Sequence, residues 1–292
     1  MANQPVQDFR SVRLPPWFKI SLASNERSHG LERLVSDNNL HTVCQSAACP
    51  NKAECWRDGA ATFLILGNLC TRGCRFCNVP KGTPVDLDID EPNRVAHAVG
   101  ALKLKYAVIT SVTRDDLPDG GASIFAATIR EIRAQSPQCR IEVLIPDFQG
   151  SEAALNTVLN SSPDVLNHNL ETVPSLYQQV RPQANYKRSL ELLARAHAHG
   201  AVTKTGLILG LGETSDEVLS VFKEIKMNGC SILTIGQYLQ PDKNHIPVKK
   251  YYHPDEFSSM RDQALALGFR HVVAGPLVRS SYHAGKIGGW EK

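Results

Sequence analysis

The sequence predicts an α/β protein, an open, partial (β/α)6 barrel with N-terminal and C-terminal extensions. Six short apolar runs lie between residues 62 and 239, and amphipathic segments separate them. Continuous apolar character, without alternation, is typical of parallel strands that are covered on both faces. Six strands that alternate with helices form right-handed βαβ units, and they are too few for a closed eight-stranded barrel. A doubly wound sheet is the alternative fold.

Each predicted element has its own local signal. The predicted strands are apolar runs at residues 62–67, 106–112, 141–145, 165–170, 204–211 and 232–239. Helices are predicted to begin near residues 92, 190, 214 and 254, where apolar residues recur at helical spacing. Thr214 and Glu217 form a T-x-x-E capping box, the clearest of these starts. Residues 1–60 and 270–292 lack this alternation, so the barrel is predicted to span 61–269 between two extensions.

Composition and charge exclude several classes of protein. Of the 292 residues, 42% are hydrophobic and 21% are charged, which is ordinary for a folded chain and excludes long disorder. The net charge of +3 gives no support for binding of nucleic acid. Residues 1–19 lack a signal-peptide core, and no apolar run approaches the roughly 18 residues of a membrane helix. We therefore expect a cytoplasmic protein that binds neither nucleic acid nor membrane.

Six of the eight cysteines lie between residues 44 and 77. Cys70, Cys74 and Cys77 form the motif CTRGCRFC directly after the first predicted strand, and loops at that end of barrel strands carry the chemistry. Three thiolates on a short loop can hold three corners of a [4Fe–4S] cluster and leave the fourth iron open. Structural zinc sites use four ligands in two separated pairs, so the spacing favours an iron–sulfur cluster over zinc.

An upstream set, Cys44, Cys49 and Cys55, lies in the N-terminal extension with four and then five intervening residues. It also differs from a zinc pattern and has no fourth cysteine nearby. Six thiolates can therefore supply two separate sets of three, and the second set needs a further ligand from elsewhere in the chain. Cys139 and Cys230 each lie just before a predicted strand, and we interpret them as buried structural residues.

The CxxxCxxC motif after a first strand, in a chain with six βα units, resembles the radical S-adenosylmethionine (SAM) superfamily. The resemblance implies that the partial (β/α)6 barrel is of the radical SAM type. It also implies that the open iron binds SAM, and that reductive cleavage of SAM yields a 5′-deoxyadenosyl radical. Phe76, the aromatic residue before the last cysteine, is then expected near the adenine; a core aromatic is the alternative interpretation.

Longer stretches closely resemble the lipoyl synthase family. The paired cysteine motifs together with RSSY at residues 279–282 are the specific part of this resemblance. Further matching stretches, which together span most of the chain, are PPWFK, TSVTRDDLPDGGA, NHNLETVP, GLILGLGET, IGQYLQP and AGPLVRSSYHAG. The resemblance implies a sulfurtransferase that inserts sulfur at C6 and C8 of an octanoyl chain held in amide linkage to a lysine of a carrier protein.

The same resemblance implies two [4Fe–4S] clusters per chain. The cluster on Cys70, Cys74 and Cys77 would cleave SAM, and an auxiliary cluster on the upstream cysteines would donate both sulfurs. The fourth auxiliary ligand is implied to be a serine of RSSY, Ser281, with Ser280 as the alternative. The implied partners are an octanoylated carrier protein (glycine cleavage H protein or an E2 lipoyl domain), a small electron-transfer protein such as ferredoxin or flavodoxin, and an iron–sulfur carrier protein.

Other segments are candidates for contacts with the methionine end of SAM. Asn169 and Glu171 end the predicted fourth strand, and Arg188 opens the next helix. Backbone amides at 119–121 are a further candidate, or form an ordinary turn. Two alternative functions stay open: another sulfur-inserting radical enzyme, similar to biotin synthase or a methylthiotransferase, and a zinc-stabilised binding module.

Overall fold

The centre of the fold is one eight-stranded sheet in which spatial order follows chain order. The structure is a computed structural model that describes residues 14–18, 26–46, 49–58, 60–84, 87–282 and 284–286. The strands are β1 (His41–Thr42), β2 (Ala61–Ile65), β3 (Tyr106–Ser111), β4 (Arg140–Leu144), β5 (Val165–Asn167), β6 (Thr203–Leu209), β7 (Ile232–Gln237) and β8 (His271–Gly275). β1 runs antiparallel to β2, and the strands from β2 to β8 pair in parallel.

The predicted α/β fold class is confirmed, but the sheet has one more parallel strand than the six predicted. β8 pairs with β7 and lies in the segment 270–292, which the sequence indicated to be an extension without strands. Every residue of β8 is half-buried, and the run HVVAG is too short to signal a core strand. Because the strand order never reverses, the doubly wound alternative is wrong. The sheet ends at β1 and β8, so the barrel is open over the described residues.

Helices cover the outer face of the sheet. They are α1 (Glu26–Asp37), α2 (Val43–Ser46), α3 (Lys52–Arg57), α4 (Glu91–Ala101), α5 (Ala122–Gln135), α6 (Glu152–Leu159), α7 (Tyr177–Val180), α8 (Tyr186–Ala198), α9 (Ser215–Met227) and α10 (Pro254–Ala266). The helices predicted near residues 92, 190, 214 and 254 are α4, α8, α9 and α10. The predicted capping box is present at the start of α9. Within the described ranges, no helix is both long enough and apolar enough to span a membrane.

All six predicted strands end before their apolar runs do, and the early ends of β2, β5 and β6 bear on the site. β2 stops at Ile65, since Leu66 and Gly67 have φ of 68° and 90°. β6 stops before Gly210, whose φ is 103°. β5 ends at Asn167 instead of residue 170, so the polar residues after it lie on a loop. These early ends move the candidate site residues off the strands and onto the loops at the mouth of the barrel.

The inner face of the sheet, here called the lumen, contains a buried ion pair. Lys204 on β6 donates to both carboxylate oxygens of Glu142 on β4, at 2.9 Å each, and neither side chain is exposed to solvent. Tyr106 and Asn167 donate to the same carboxylate at 2.7 and 2.9 Å. The carboxylate thus accepts four hydrogen bonds from three side chains, which compensate the cost of burying its charge. Nothing in the strand pattern predicted charged residues at two central strand positions.

We expect Lys204→Met to lower the free energy of unfolding by about 3–5 kcal/mol, because it leaves the Glu142 carboxylate buried without its counter-charge. The matched control is the double variant Glu142→Gln/Lys204→Met, which removes both charges while the glutamine oxygen still accepts a hydrogen bond. Urea unfolding followed by circular dichroism measures both effects. A double variant as unstable as the single one would contradict this explanation.

Candidate functional site

The CxxxCxxC loop follows β2 at the mouth of the barrel, and hydrogen bonds from several strands fix it. The backbone amide of Thr113 donates to the sulfur of Cys70 at 3.3 Å. The ring Nε2 of His245 lies 3.1 Å from the carbonyl oxygen of Cys77, and its Nδ1 lies 2.8 Å from Asp242 Oδ1. The three thiols at positions 70, 74 and 77 are partly buried. Segments after β3 and β7 therefore hold the two ends of this loop.

A buried arginine inside the motif anchors the loop to the segments that follow β3 and β4. Arg72 donates to Asp115 at 2.6 and 2.8 Å and to Asp147 at 2.6 Å. Burial alone would raise the pKa of Asp147, but the hydrogen bond and charge of Arg72 outweigh it and hold that pKa at about 2. The loop is thus fixed to the chain after β3 and after β4 by charge-assisted hydrogen bonds.

Glu171 and Asn169 lie beside the CxxxCxxC loop, together with an arginine that the sequence did not indicate. Asn169 Nδ2 donates to Glu171 Oε1 at 3.0 Å, and Arg181 Nη1 donates to the carbonyl oxygen of Asn169 at 2.8 Å. The charge of Arg181 acts on both Glu171 and Cys74. Glu171 is half-buried and has a φ of 67°, a left-handed backbone conformation that is uncommon for a residue other than glycine. No spacing in the sequence could have signalled Arg181.

Burial disfavours the thiolate form of two cysteines of this loop, Cys74 and Cys77. It raises the pKa of Cys77 to about 12, and it raises the pKa of Cys74 although Arg181 acts in the opposite direction. Both of these thiols are therefore held toward their protonated form. Because thiolates are the ligands of iron–sulfur clusters, binding a cluster here must release protons.

The structure also separates the other candidates for SAM contacts. Phe76 is partly buried and packs against the apolar residues Val180, Leu211, Tyr238 and Ile246 beside the motif. Arg188 pairs with Asp147 at 3.2 Å. Arg188 shares this carboxylate with Arg72, and its contact with the cofactor stays a prediction.

Two glycine-containing turns have an internal partner for their amides. Asp119 accepts from the amides of Gly121 and Ser123 at 2.9 and 2.8 Å, so 119–121 is an ordinary helix-start turn. In GLILGLGET, the amides of Gly210, Leu211 and Gly212 donate to Glu213. Tight packing explains that turn, because a Cβ at position 210 would lie 2.1 Å from the Gln237 side chain.

The second set of cysteines lines a cavity that both ends of the chain enclose. The cavity holds about 350 Å³ of atom-free space, part of it open to solvent. We call it the auxiliary cavity. Its lining residues come from α2, α3, β2, β3 and the chain after β8, and include Cys44, Cys49, Cys55, Arg279, Ser281 and Tyr282. The three upstream cysteines and the predicted serine therefore meet in one place, although 226 residues separate Asn51 from the contact it makes at Leu277.

The two serines of RSSY have different surroundings. Ser281 lines the auxiliary cavity, whereas Ser280 accepts a hydrogen bond from Asn169 Nδ2 at 3.3 Å. Ser280 therefore belongs to the side of the segment that faces Glu171. This geometry favours Ser281 over the alternative Ser280 as the partner of the three cysteines.

The chain after β8 crosses the lumen and is held there by close contacts. Asn51 Nδ2 donates to the carbonyl oxygen of Leu277 at 2.6 Å, and the Tyr282 hydroxyl donates to Glu54 at 3.2 Å. A Cβ at Gly236 on β7 would lie 2.0 Å from the carbonyl oxygen of Val278. Only glycine permits this approach, so the strand residue is adapted to the segment that carries Ser281.

The donors in both places fit iron–sulfur clusters. Among the described residues, no three His, Cys, Asp or Glu side chains converge closely enough to hold one metal ion. A cluster does not need that convergence, because each thiolate binds a different iron. All eight cysteines are free, and Cys139 and Cys230 are buried away from both sets, as predicted.

Known proteins are similar to nearly the whole chain. It is 55% identical over 272 residues to the lipoyl synthase of Koribacter versatilis, which covers 92% of this chain and 90% of that protein. It is also 55% identical over 275 residues to the lipoyl synthase of Roseiflexus sp., covering 94% and 91%. The chain belongs to the lipoyl synthase family. The sulfurtransferase activity that the sequence motifs implied is thereby confirmed at the level of the family.

Lipoyl synthases are radical SAM enzymes, and the fold agrees. The profile of the radical SAM superfamily matches residues 64–225. A methylornithine synthase has the same fold with a TM-score of 0.53 at 14% identity, covering 86% of this chain and 79% of that one. Streptococcus suis SuiB gives a TM-score of 0.58 at 9% identity, covering 85% and 52%. The radical SAM type of the barrel, predicted from the motif, is confirmed.

Proposed function

We propose that the chain inserts two sulfur atoms at C6 and C8 of an octanoyl-lysine on a carrier protein, using two [4Fe–4S] clusters held by Cys70, Cys74, Cys77 and by the residues of the auxiliary cavity. One observation carries the proposal. Cys44, Cys49, Cys55 and Ser281 line a single cavity, as a sulfur-donating cluster in a lipoyl synthase requires. A zinc-binding module or another radical enzyme gives no reason for a serine to join three cysteines there.

The residues of the CxxxCxxC loop bind and orient the cluster that cleaves SAM. When bound, that cluster supplies the electron for cleavage of the sulfonium bond. Glu171 lies beside Cys74 and is the proposed acceptor for the amino group of SAM. The residue lies at the barrel mouth, is partly exposed, and accepts a hydrogen bond from Asn169 through Oε1. Phe76 is the proposed neighbour of the adenine, since its ring is only partly covered by the apolar residues around it.

The residues of the auxiliary cavity would hold the sulfur source. When bound, its cluster supplies both sulfur atoms. Cys49 and Cys55 come from the chain around α3, and Ser281 comes from the segment crossing β7, so the cavity is held between two independent parts of the fold. An alkoxide ligand can be released by protonation more readily than a fourth thiolate. Ser281 would thus hold its iron through a ligand that protonation can release.

The partners proposed for this reaction follow from its chemistry. The substrate is the octanoylated carrier protein, either the glycine cleavage H protein or an E2 lipoyl domain. A small electron-transfer protein such as ferredoxin or flavodoxin supplies the electrons, and an iron–sulfur carrier protein renews the auxiliary cluster. We propose a cytoplasmic location, where free thiols of this kind stay reduced.

Anaerobic protein given an octanoyl-lysine peptide, SAM and a reductant is expected to form the dithiolated peptide and to contain about eight irons and eight sulfides per chain. Mass spectrometry and metal analysis measure these. Cys139→Ala is the matched control, because it removes a buried cysteine outside both sets and should keep all eight irons. Zinc without sulfide would reject the proposal, and 5′-deoxyadenosine without sulfur insertion would point to another substrate.

A further inference from the structure

Arg279 lies in the wall between the two sites. It lines the auxiliary cavity, and its Nη1 would lie 3.4 Å from a Cβ placed at Gly236, so the guanidinium rests against the lumen face of β7. Its charge acts on Cys49 on one side and on Glu171 on the other. The neighbouring Ser280 and Ser281 face these same two sides. Residues 279–281 therefore form a shared wall.

The guanidinium has no carboxylate partner of its own among the residues that the structure describes. Its hydrogen bond runs from Nη1 to the carbonyl oxygen of Val278, at 2.8 Å. The other cation of the cavity lining, Lys52, is already compensated, because its Nζ lies 2.7 Å from Glu32 and 4.7 Å from the centre of the Trp56 ring. Arg279 is thus the cation of the described lining that forms no ion pair. Besides Glu171, its charge can act on whatever the cavity holds.

An anionic group is what this cation fits. Three thiolates and one alkoxide bring four negative charges, more than an iron–sulfur core offsets, and buried charge needs compensation. Net charge and hydrogen bonds to the sulfurs are also what set the reduction potential of a cluster. We propose that Arg279 is the counter-charge of the auxiliary cluster, which raises its reduction potential and slows its loss of iron. The proposal rests on the function proposed above, because it requires the auxiliary cluster to be present.

The test uses a background that holds only the auxiliary cluster, the full chain with Cys70, Cys74 and Cys77 replaced by alanine. Into it we place Arg279→Gln, Arg279→Lys and, as the matched control, Arg261→Gln, which removes an exposed cation of α10 outside both sites. Redox titration followed by electron paramagnetic resonance gives the potential, and a ferrous chelator gives the rate of iron release. Arg279→Gln is expected to lower the potential and to speed iron release about tenfold, the effect of losing one charge-assisted hydrogen bond.

Arg279→Lys keeps the charge, so we expect it to behave like the background, as should Arg261→Gln. An unshifted potential in Arg279→Gln, with four irons retained, would overturn the proposal. Equal loss of iron in the glutamine and lysine variants would overturn it too, since shape and not charge would then matter. Loss of iron in the glutamine variant alone would support it. A background that holds no cluster even with Arg279 intact would instead reject the proposed function.

Discussion

Replacing Cys74 with alanine is expected to abolish formation of 5′-deoxyadenosine and of sulfur-containing product, and to lower the iron content from about eight to about four per chain. Cys74 is the central thiol of the CxxxCxxC loop, and it lies close to Arg181 and Glu171. With two of three thiolates left on a partly exposed loop, the site cannot retain its cluster. The auxiliary cavity shares no cysteine with this loop, so its irons should remain.

The reciprocal variant tests whether the two sets are independent. Cys49→Ala should also leave about four irons, but it should still release 5′-deoxyadenosine, because the SAM-cleaving site is intact. Liquid chromatography of the nucleoside and metal analysis of each variant give the comparison. If either variant lost all its iron, the six cysteines would form one interdependent site and the assignment into two sets would be wrong.

Ser281→Ala is expected to lower the yield of dithiolated peptide about 100-fold, the upper end of what even outer partners of a metal site cost. The adjacent Ser280→Ala is the matched control, since it loses one hydrogen bond to Asn169 and should lower the yield about fivefold at most. Formation of 5′-deoxyadenosine should persist in both. Two variants with equal loss would show that the segment, and not the Ser281 hydroxyl, matters.

A second substitution at position 281 tests why the proposed ligand is a serine. Ser281→Cys offers a fourth thiolate, which binds iron more firmly than an alkoxide. We expect it to hold the auxiliary cluster and to slow sulfur transfer. Full sulfur insertion by this variant would reject the idea that a labile ligand is needed.

The chemistry of the site could be read from the sequence because it depends on residue type and local spacing. CTRGCRFC, the upstream cysteines and RSSY are each short motifs that can be recognised directly in the sequence. The apolar runs indicated six of the seven parallel strands. β8 was missed because its residues are all half-buried, so that its apolar character extends over only HVVAG. The partial barrel was therefore predicted with the right class and one strand too few.

Contacts that join distant parts of the chain could not be predicted from spacing. Arg181 reaches Cys74 and Glu171 only because α7 returns to the barrel mouth, and Asn51 meets Leu277 only once the barrel has formed. Ser280 and Ser281 were inseparable as neighbours in a motif, yet opposite sides of one segment give them different surroundings. The ion pair of Arg188 with Asp147 could not be predicted for the same reason, since Asp147 follows another strand.

Residues from both ends of the chain line the auxiliary cavity, so the cavity is complete only after the whole chain has been synthesised. The ribosome delivers Cys55 first and Ser281 226 residues later, a delay of about 10–45 s at usual rates of synthesis. During that interval the three upstream cysteines have been synthesised, but Ser281, which also lines the cavity, has not. Iron and sulfide delivered to the nascent chain would meet an unfinished site. If the cavity holds the proposed auxiliary cluster, we therefore expect loading to follow translation, once residues 277–282 lie across β7.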